Sequence, residues 1–141
     1  MNIVQISNVS KEYMLGEQHV QALKDINLEI EESVFLAIAG PSGSGKSTLL
    51  NLIGCIDNPT TGKIFIDGQD TSGKTPDELS ELRLRNIGFI FQSFNLIDEL
   101  TVFENVELPL IYTGVKAADR KKRVEEVLDK MQIMHRRNHY P

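Results

Sequence analysis

The sequence predicts an α/β fold that begins with antiparallel β structure and ends with helices. Apolar and polar residues alternate in residues 3–9 and again in residues 26–30, as in strands with one face exposed to solvent. Farther along, short apolar runs alternate with stretches of helical composition, which is typical of a sheet covered by helices.

The middle of the chain adds a strand, a helix and a second strand. Residues 34–39 (VFLAIA) are apolar without alternation, which predicts a strand covered on both faces. The following KSTLLNLIG has the composition of a short helix, and Gly54 at its end is a typical helix stop. Residues 63–67 (KIFID) predict a short strand.

The second half is expected to be mainly helical. Thr75 is a good cap for a helix that ends near Asn86, because a proline follows it and Glu78 completes a capping box. Residues 87–91 predict one more buried strand. From Thr101 onward the pattern predicts helices, and the last is amphipathic, with apolar residues Val124, Val127, Leu128 and Met131.

Composition excludes several classes of protein. A chain of 141 residues with 40% hydrophobic and 25% charged residues is typical of a folded globular domain. The net charge of −5 argues against a nucleic-acid partner. No apolar run approaches the ~18 residues of a membrane span, and the first residues lack a secretory pattern. We therefore expect a cytoplasmic protein.

GPSGSGKS at residues 40–47 matches the phosphate-loop pattern G-x-x-x-x-G-K-[ST]. Backbone N–H groups at a helix N terminus bind polyphosphate well, because the helix dipole and the unpaired donors act together. Lys46 is suited to reach the β- and γ-phosphates, and the Ser47 hydroxyl to bind Mg²⁺. The fold expected around it is a P-loop NTPase-type sheet. The predicted nucleotide-binding residues here are Gly40, Ser42, Gly43, Ser44, Gly45, Lys46, Ser47 and Thr48.

A second segment, GQDTSGKT at residues 68–75, fits the same pattern. It contains an anion, Asp70, where phosphate would bind, and Pro76 lacks an N–H at the start of the next helix. The first match instead follows an apolar run and opens into a leucine-rich helix. We therefore assign the nucleotide site to residues 40–47 and interpret residues 68–75 as a turn and a helix cap.

Three features together resemble the ATP-binding subunit of ABC transporters. They are the phosphate loop followed by Thr-Leu-Leu, the segment IGFIFQSFNL at residues 87–96, and Lys11-Glu-Tyr13 before ALKDINLEI. TVFENVELPLIYTGV at residues 101–115 is similar to the subgroup that serves lipoprotein release, macrolide export and antimicrobial-peptide export.

The resemblance implies roles for two further residues. Tyr13 would stack on the adenine of ATP, and Gln92 would contact Mg²⁺ and the attacking water. It also implies a transmembrane permease subunit and a second ATPase subunit as partners, at the cytoplasmic face of the cell membrane. Residues 94–105, with apolar Phe94, Leu96 and Leu100, would form the surface that contacts the permease.

The resemblance covers part of the family's domain. In the family, a sequence like HYP at residues 139–141 precedes the signature motif, an apolar strand ending in Asp-Glu, and a histidine switch. We expect residues 1–141 to be a truncated single domain, with a nucleotide-binding core at 1–92 and the start of a helical subdomain at 93–141. Because the family's catalytic carboxylates are not among these residues, we expect MgATP binding without hydrolysis by this chain alone.

Two other functions stay open on the sequence. A non-transport P-loop ATPase, in DNA repair or chromosome organisation, would share the phosphate loop, but the negative charge and residues 101–115 count against it. A non-functional remnant of a split gene is the other. The N-K-x-D motif with which GTPases recognise guanine does not occur in these residues, which disfavours a GTPase.

Other signals are interpreted as structural. His135 and His139 have no evident third metal ligand, so a helix end is expected there. Cys55 is expected to be a small buried residue. Glu104 and Glu107 are expected to be exposed acids on a helix.

Overall fold

The computed structural model describes residues 1–141, which divide into the units Met1–Phe89 and Ile90–Pro141. All strands lie in the first unit, and the second has only helices and irregular segments. This α/β arrangement confirms the predicted fold class. The elements are β1 (Asn2–Leu15), β2 (Gln18–Glu31), α1 (Lys46–Ile53), β3 (Thr61–Ile66), β4 (Gln69–Asp70), α2 (Pro76–Asn86), α3 (Val102–Tyr112), α4 (Ala117–Lys130) and a 3₁₀ helix at Met134–Arg136.

The strands form one antiparallel sheet in the order β2-β1-β3-β4. The register of β1 against β2 shifts between Ile6 and Val9, and Asn8 within the shift has a φ of +50°. A bulge of one residue exchanges the two faces of a strand. Val9 is therefore buried together with Val4 and Ile6, although simple alternation would place it on the opposite face.

The core of the first unit joins the sheet to α1 and α2. Leu52 of α1 and Leu79 and Leu82 of α2 are buried in one apolar cluster with the sheet residues. Cys55, just after α1, belongs to the same cluster, and burial raises the pKa of its thiol. The prediction of a small buried cysteine is confirmed.

The cap of α2 also agrees with the sequence. The backbone N–H of Glu78 donates to the Thr75 hydroxyl at 3.3 Å, and the backbone N–H of Thr75 donates to the Glu78 carboxylate at 2.7 Å. These reciprocal bonds form a capping box with Pro76 in the first turn. The predicted helix cap within residues 68–75 is confirmed.

Two predicted strands are absent. Residues 34–39 and 87–91 contain no residue in a strand, and the sheet has no parallel pair. Phe35 is 96% exposed and Ile90 is fully exposed. An apolar segment becomes a strand only when neighbouring strands pair with its backbone and cover its side chains. The sequence prediction rested on hydrophobicity, which does not include those neighbours.

The second unit is built on α3 and α4. Val124 and Leu128 are fully buried, whereas Val127 and Met131 are exposed, so the buried stripe of α4 is narrower than predicted. The prediction that Glu107 is an exposed acid is wrong, because its carboxylate accepts a 2.8 Å hydrogen bond from Arg120 at a half-buried position. No helix in either unit combines the length and apolarity that crossing a bilayer requires.

Candidate functional site

The phosphate loop, residues 40–47, leads into the N terminus of α1. Gly43 and Gly45 have φ values of +79° and +87°, in the left-handed region that favours glycine. At Gly45 a Cβ atom would also lie only 2.6 Å from the carbonyl oxygen of Ala22 in β2. Glycine at position 45 therefore serves two needs, since it permits the turn and brings the loop against the sheet.

The loop borders a cavity of about 310 Å³ beside the start of α1. No side chain caps the N terminus of this helix. Its first-turn N–H groups and the positive end of its dipole are therefore suited to a bound anion. Besides residues 42–48 of the loop and helix, the cavity is lined by Val20, Gln21 and Ala22 of β2.

Lys46, the first residue of α1, folds back over the loop. Its ammonium group donates to the carbonyl oxygens of Gly40 at 2.9 Å and Pro41 at 2.7 Å. These contacts keep the positive charge at the loop, where it would meet a phosphate. Ser47 is exposed at the next helical position, and its hydroxyl is a hard oxygen donor of the kind that Mg²⁺ prefers.

The second match, residues 68–75, forms no comparable loop. Asp70 lies in β4, where it accepts hydrogen bonds from Lys63 at 3.2 Å and from the backbone N–H of Ser72 at 2.8 Å. The N terminus of α2 is already occupied by the carboxylate of Glu78. A phosphate at this helix would meet negative charge from both acids, so the geometry does not suit an anion.

Tyr13 lies close to the phosphate loop. It pairs with Val20 across the β1–β2 hairpin, and Val20 lines the cavity. Its phenol donates to Asp57 at 2.8 Å and also contacts the side chain of Thr48 in α1. Desolvation and the bond to Asp57 raise the pKa of Tyr13, so the phenol stays protonated.

Two residues beside Tyr13 were not predicted from the sequence as part of the site. Lys11 and Asp57 form an ion pair of 2.6 Å beside Tyr13. Lys11 is two residues from Tyr13 on β1, so strand geometry places both on one face. Asp57 follows α1 in sequence, and no local pattern connects it with β1.

Gln92 lies in an exposed, irregular segment of the second unit. Its contact with Mg²⁺ and water stays a prediction. The structure thus brings Tyr13, Thr48 and the phosphate loop together within the first unit.

A phosphate loop between a sheet and a helix defines a nucleotide-binding P-loop domain. The family model described as ABC transporter matches residues 23–141. The chain belongs to the ABC transporter family, as an ATP-binding domain, and the predicted family is confirmed.

Several relatives support this assignment. An uncharacterized ABC transporter ATP-binding protein of Thermotoga maritima is 47% identical over 139 residues, 99% of this chain and 59% of the relative. The macrolide export ATP-binding/permease protein MacB of Shewanella sp. W3-18-1 is 45% identical over 99% of this chain and 22% of its own length. The chain therefore spans about three fifths or less of these relatives.

Solved structures agree with the fold. The ATP-binding cassette MJ0796, solved as a dimer in a post-hydrolysis state bound to ADP and Pi, has a TM-score of 0.90 and 48% identity. The match covers 98% of this chain and 61% of that chain. The protein named MJ0796 comes from Methanocaldococcus jannaschii.

Proposed function

We propose that this chain is the ATP-binding part of an ABC-type exporter and that it binds MgATP through residues 40–48 and Tyr13. The observation that carries the proposal is the uncapped N terminus of α1 behind a loop with two left-handed glycines, with the Lys46 ammonium folded over it. The macrolide-export relatives support the direction of transport.

Each part of the site has a distinct task in this proposal. Backbone N–H groups of the loop bind phosphate oxygens, and Lys46 exchanges its carbonyl contacts for the β- and γ-phosphates. Ser47 and Gln92 are the residues that would hold Mg²⁺, which when bound neutralises phosphate charge. Tyr13 offers its ring to the adenine, a contact that nucleic-acid proteins also use.

The chain of residues 1–141 is expected to bind ATP without turnover. Gln92 orients water but accepts a proton poorly. No uniformly apolar strand within these residues ends in paired carboxylates; β2 ends at Glu31 beside Glu32, but its apolar residues alternate with polar ones and both acids are exposed. Asp67 directly follows β3, but the next residue is a glycine and not a second acid. The backbone N–H of Asp67 donates to the carbonyl oxygen of Ile3 in β1. ATP at 100 times Kd should stabilise the fold by ~2.7 kcal/mol, measured by thermal shift.

The rate of phosphate release from ATP by the unchanged chain should equal the background rate of the Lys46→Ala variant. Release clearly above this background, from protein free of contaminating ATPases, would contradict the expectation and point to an unrecognised catalytic acid.

We also propose that partners bind at the membrane. A permease would contact residues 94–105, and a second ATPase subunit would complete the nucleotide site, at the cytoplasmic face. Phe94 in this segment is 90% exposed, and exposed apolar side chains are common interface anchors. The Asn105 amide fixes the segment by donating to the carbonyl oxygens of Ile97, Leu100 and Thr101 at 2.9–3.0 Å.

Phe94→Glu is expected to abolish co-purification of the permease. In this experiment the protein carries an affinity tag, is expressed from its own gene, and is purified together with whatever it binds. A charge at this exposed position would stay unpaired in an apolar interface, while the fold and ATP binding persist. The permease is defined as the integral membrane protein that mass spectrometry finds with the unchanged protein.

Tyr112→Glu is the matched control, because Tyr112 is also exposed in the second unit but lies at the end of α3. Equal loss of the permease in both variants, or loss of ATP binding with Phe94→Glu, would contradict this docking surface.

A further inference from the structure

Three side chains from distant parts of the chain form one cluster beside the phosphate loop. The Lys11 ammonium lies 2.6 Å from one oxygen of the Asp57 carboxylate, and the Tyr13 phenol donates to the other oxygen at 2.8 Å. Lys11 also donates to the carbonyl oxygen of Asn58 at 2.7 Å. We call these three residues the Lys11–Asp57–Tyr13 cluster.

The cluster is held firmly at Asp57. Its carboxylate accepts from Lys11, from Tyr13 and from the backbone N–H of Asn58 at 2.7 Å. Burial alone would raise the pKa of Asp57, but the hydrogen bonds from Lys11, Tyr13 and Asn58 outweigh it and lower the pKa. The carboxylate therefore stays charged and remains a strong acceptor for the phenol.

These contacts restrict the ring of Tyr13. A tyrosine fixed only at its backbone rotates about two side-chain bonds, whereas a hydrogen bond at the far end of the ring restricts both. The Lys11 ammonium lies over the ring, 4.9 Å from its centre. One face of the ring is thus taken by a cation, and a stacking base has the other face to use.

The cluster also links Tyr13 to α1. Asp57 lies just after α1, where the backbone N–H groups of Ile56 and Asp57 donate to the carbonyl oxygen of Asn51 in that helix. Thr48, which contacts the phenol, is in the first turn of the same helix. The position of the ring is therefore tied to the helix that follows the phosphate loop.

We propose that Lys11 and Asp57 are positioning residues that hold the Tyr13 ring in the orientation in which it stacks on the nucleobase. The proposal rests on the proposed function and deepens it, because it assigns how the base end of the same site is built. It requires Asp57 to affect ligands that carry a base and to leave ligands made of phosphate alone unaffected.

The test uses the full chain and two ligands, MgATP and magnesium tripolyphosphate, titrated by calorimetry. Asp57→Ala is expected to weaken MgATP binding about fivefold to tenfold, within the range of stacking on an aromatic side chain, and tripolyphosphate binding by less than about twofold. In a Tyr13→Ala background, Asp57→Ala should cause no further loss, because Asp57 acts through the ring.

Two variants guard against a purely structural effect. Asp57→Asn keeps the shape of the side chain and one acceptor oxygen for the phenol, so it should bind MgATP more tightly than Asp57→Ala does. It also provides the test if Asp57→Ala folds poorly. Asp70→Ala is the matched control, since Asp70 is also paired with a lysine in the first unit, Lys63, but lies in β4. It should change neither affinity.

The outcomes separate the two proposals. Equal losses for both ligands, or a loss that persists in the Tyr13→Ala background, would overturn the positioning role while leaving the phosphate loop intact. A Tyr13→Ala variant that binds MgATP as tightly as the unchanged chain would also overturn it, because the ring would then contribute nothing. An unchanged chain that binds neither ligand would refute the proposed function itself.

Discussion

Replacing Lys46 by alanine should weaken MgATP binding at least about tenfold. Each charge-assisted hydrogen bond to phosphate that is lost is worth ~1.5–3 kcal/mol, and ~1.4 kcal/mol corresponds to a factor of ten in Kd. The variant should still fold, since the contacts of this ammonium in the structure are two carbonyl oxygens of the exposed loop.

Lys74→Ala is the matched control, because Lys74 holds the equivalent position in the second phosphate-loop pattern. It precedes the Thr75 cap of α2, a helix end that the Glu78 carboxylate occupies. We expect no measurable change in MgATP affinity. Titration of a fluorescent ATP analogue against both variants decides the matter, and equal losses would refute the choice between the two loops.

Gly62→Ala should lower the free energy of unfolding by about 2–5 kcal/mol. Gly62 has a φ of +86° in β3, and the left-handed conformation costs an alanine ~1–2 kcal/mol. An added Cβ would also overlap the carbonyl oxygen of Asn8 and lie 2.6 Å from the Cα of Val9. Forcing the two strands apart at the β1 bulge adds a further cost of about 1–3 kcal/mol.

Gly68→Ala separates the two contributions. Gly68 has a similar φ of +72°, but its Cβ would meet open space. Only the conformational cost of ~1–2 kcal/mol should appear. Urea unfolding midpoints of both variants measure the difference, and equal destabilisation would mean that the close approach of Gly62 to β1 is unimportant.

Several features followed from short-range patterns. The cap of α2 is formed by a threonine, a proline and a glutamate within four consecutive positions, and the helix after the phosphate loop ends directly before the predicted stop at Gly54. Both depend on bonds between neighbours in sequence, so a local pattern is sufficient to predict them. The family was identifiable in the same way, because its motifs are contiguous segments.

The strand predictions at residues 34–39 and 87–91 failed for the opposite reason. Hydrophobicity describes what a segment would gain on burial, but a strand also requires partners for its N–H and C=O groups. The bulge at Asn8 is another such case, because its effect on Val9 depends on pairing with β2 and β3.

Residue types and spacing in the sequence were sufficient to predict the family, the phosphate loop and the helix caps, because each of these is formed by neighbours along the chain. The Lys11–Asp57–Tyr13 cluster and the contact of Gly45 with Ala22 became visible only in the folded chain. They join residues 23 to 46 positions apart, and such contacts exist only once the sheet register brings the segments together.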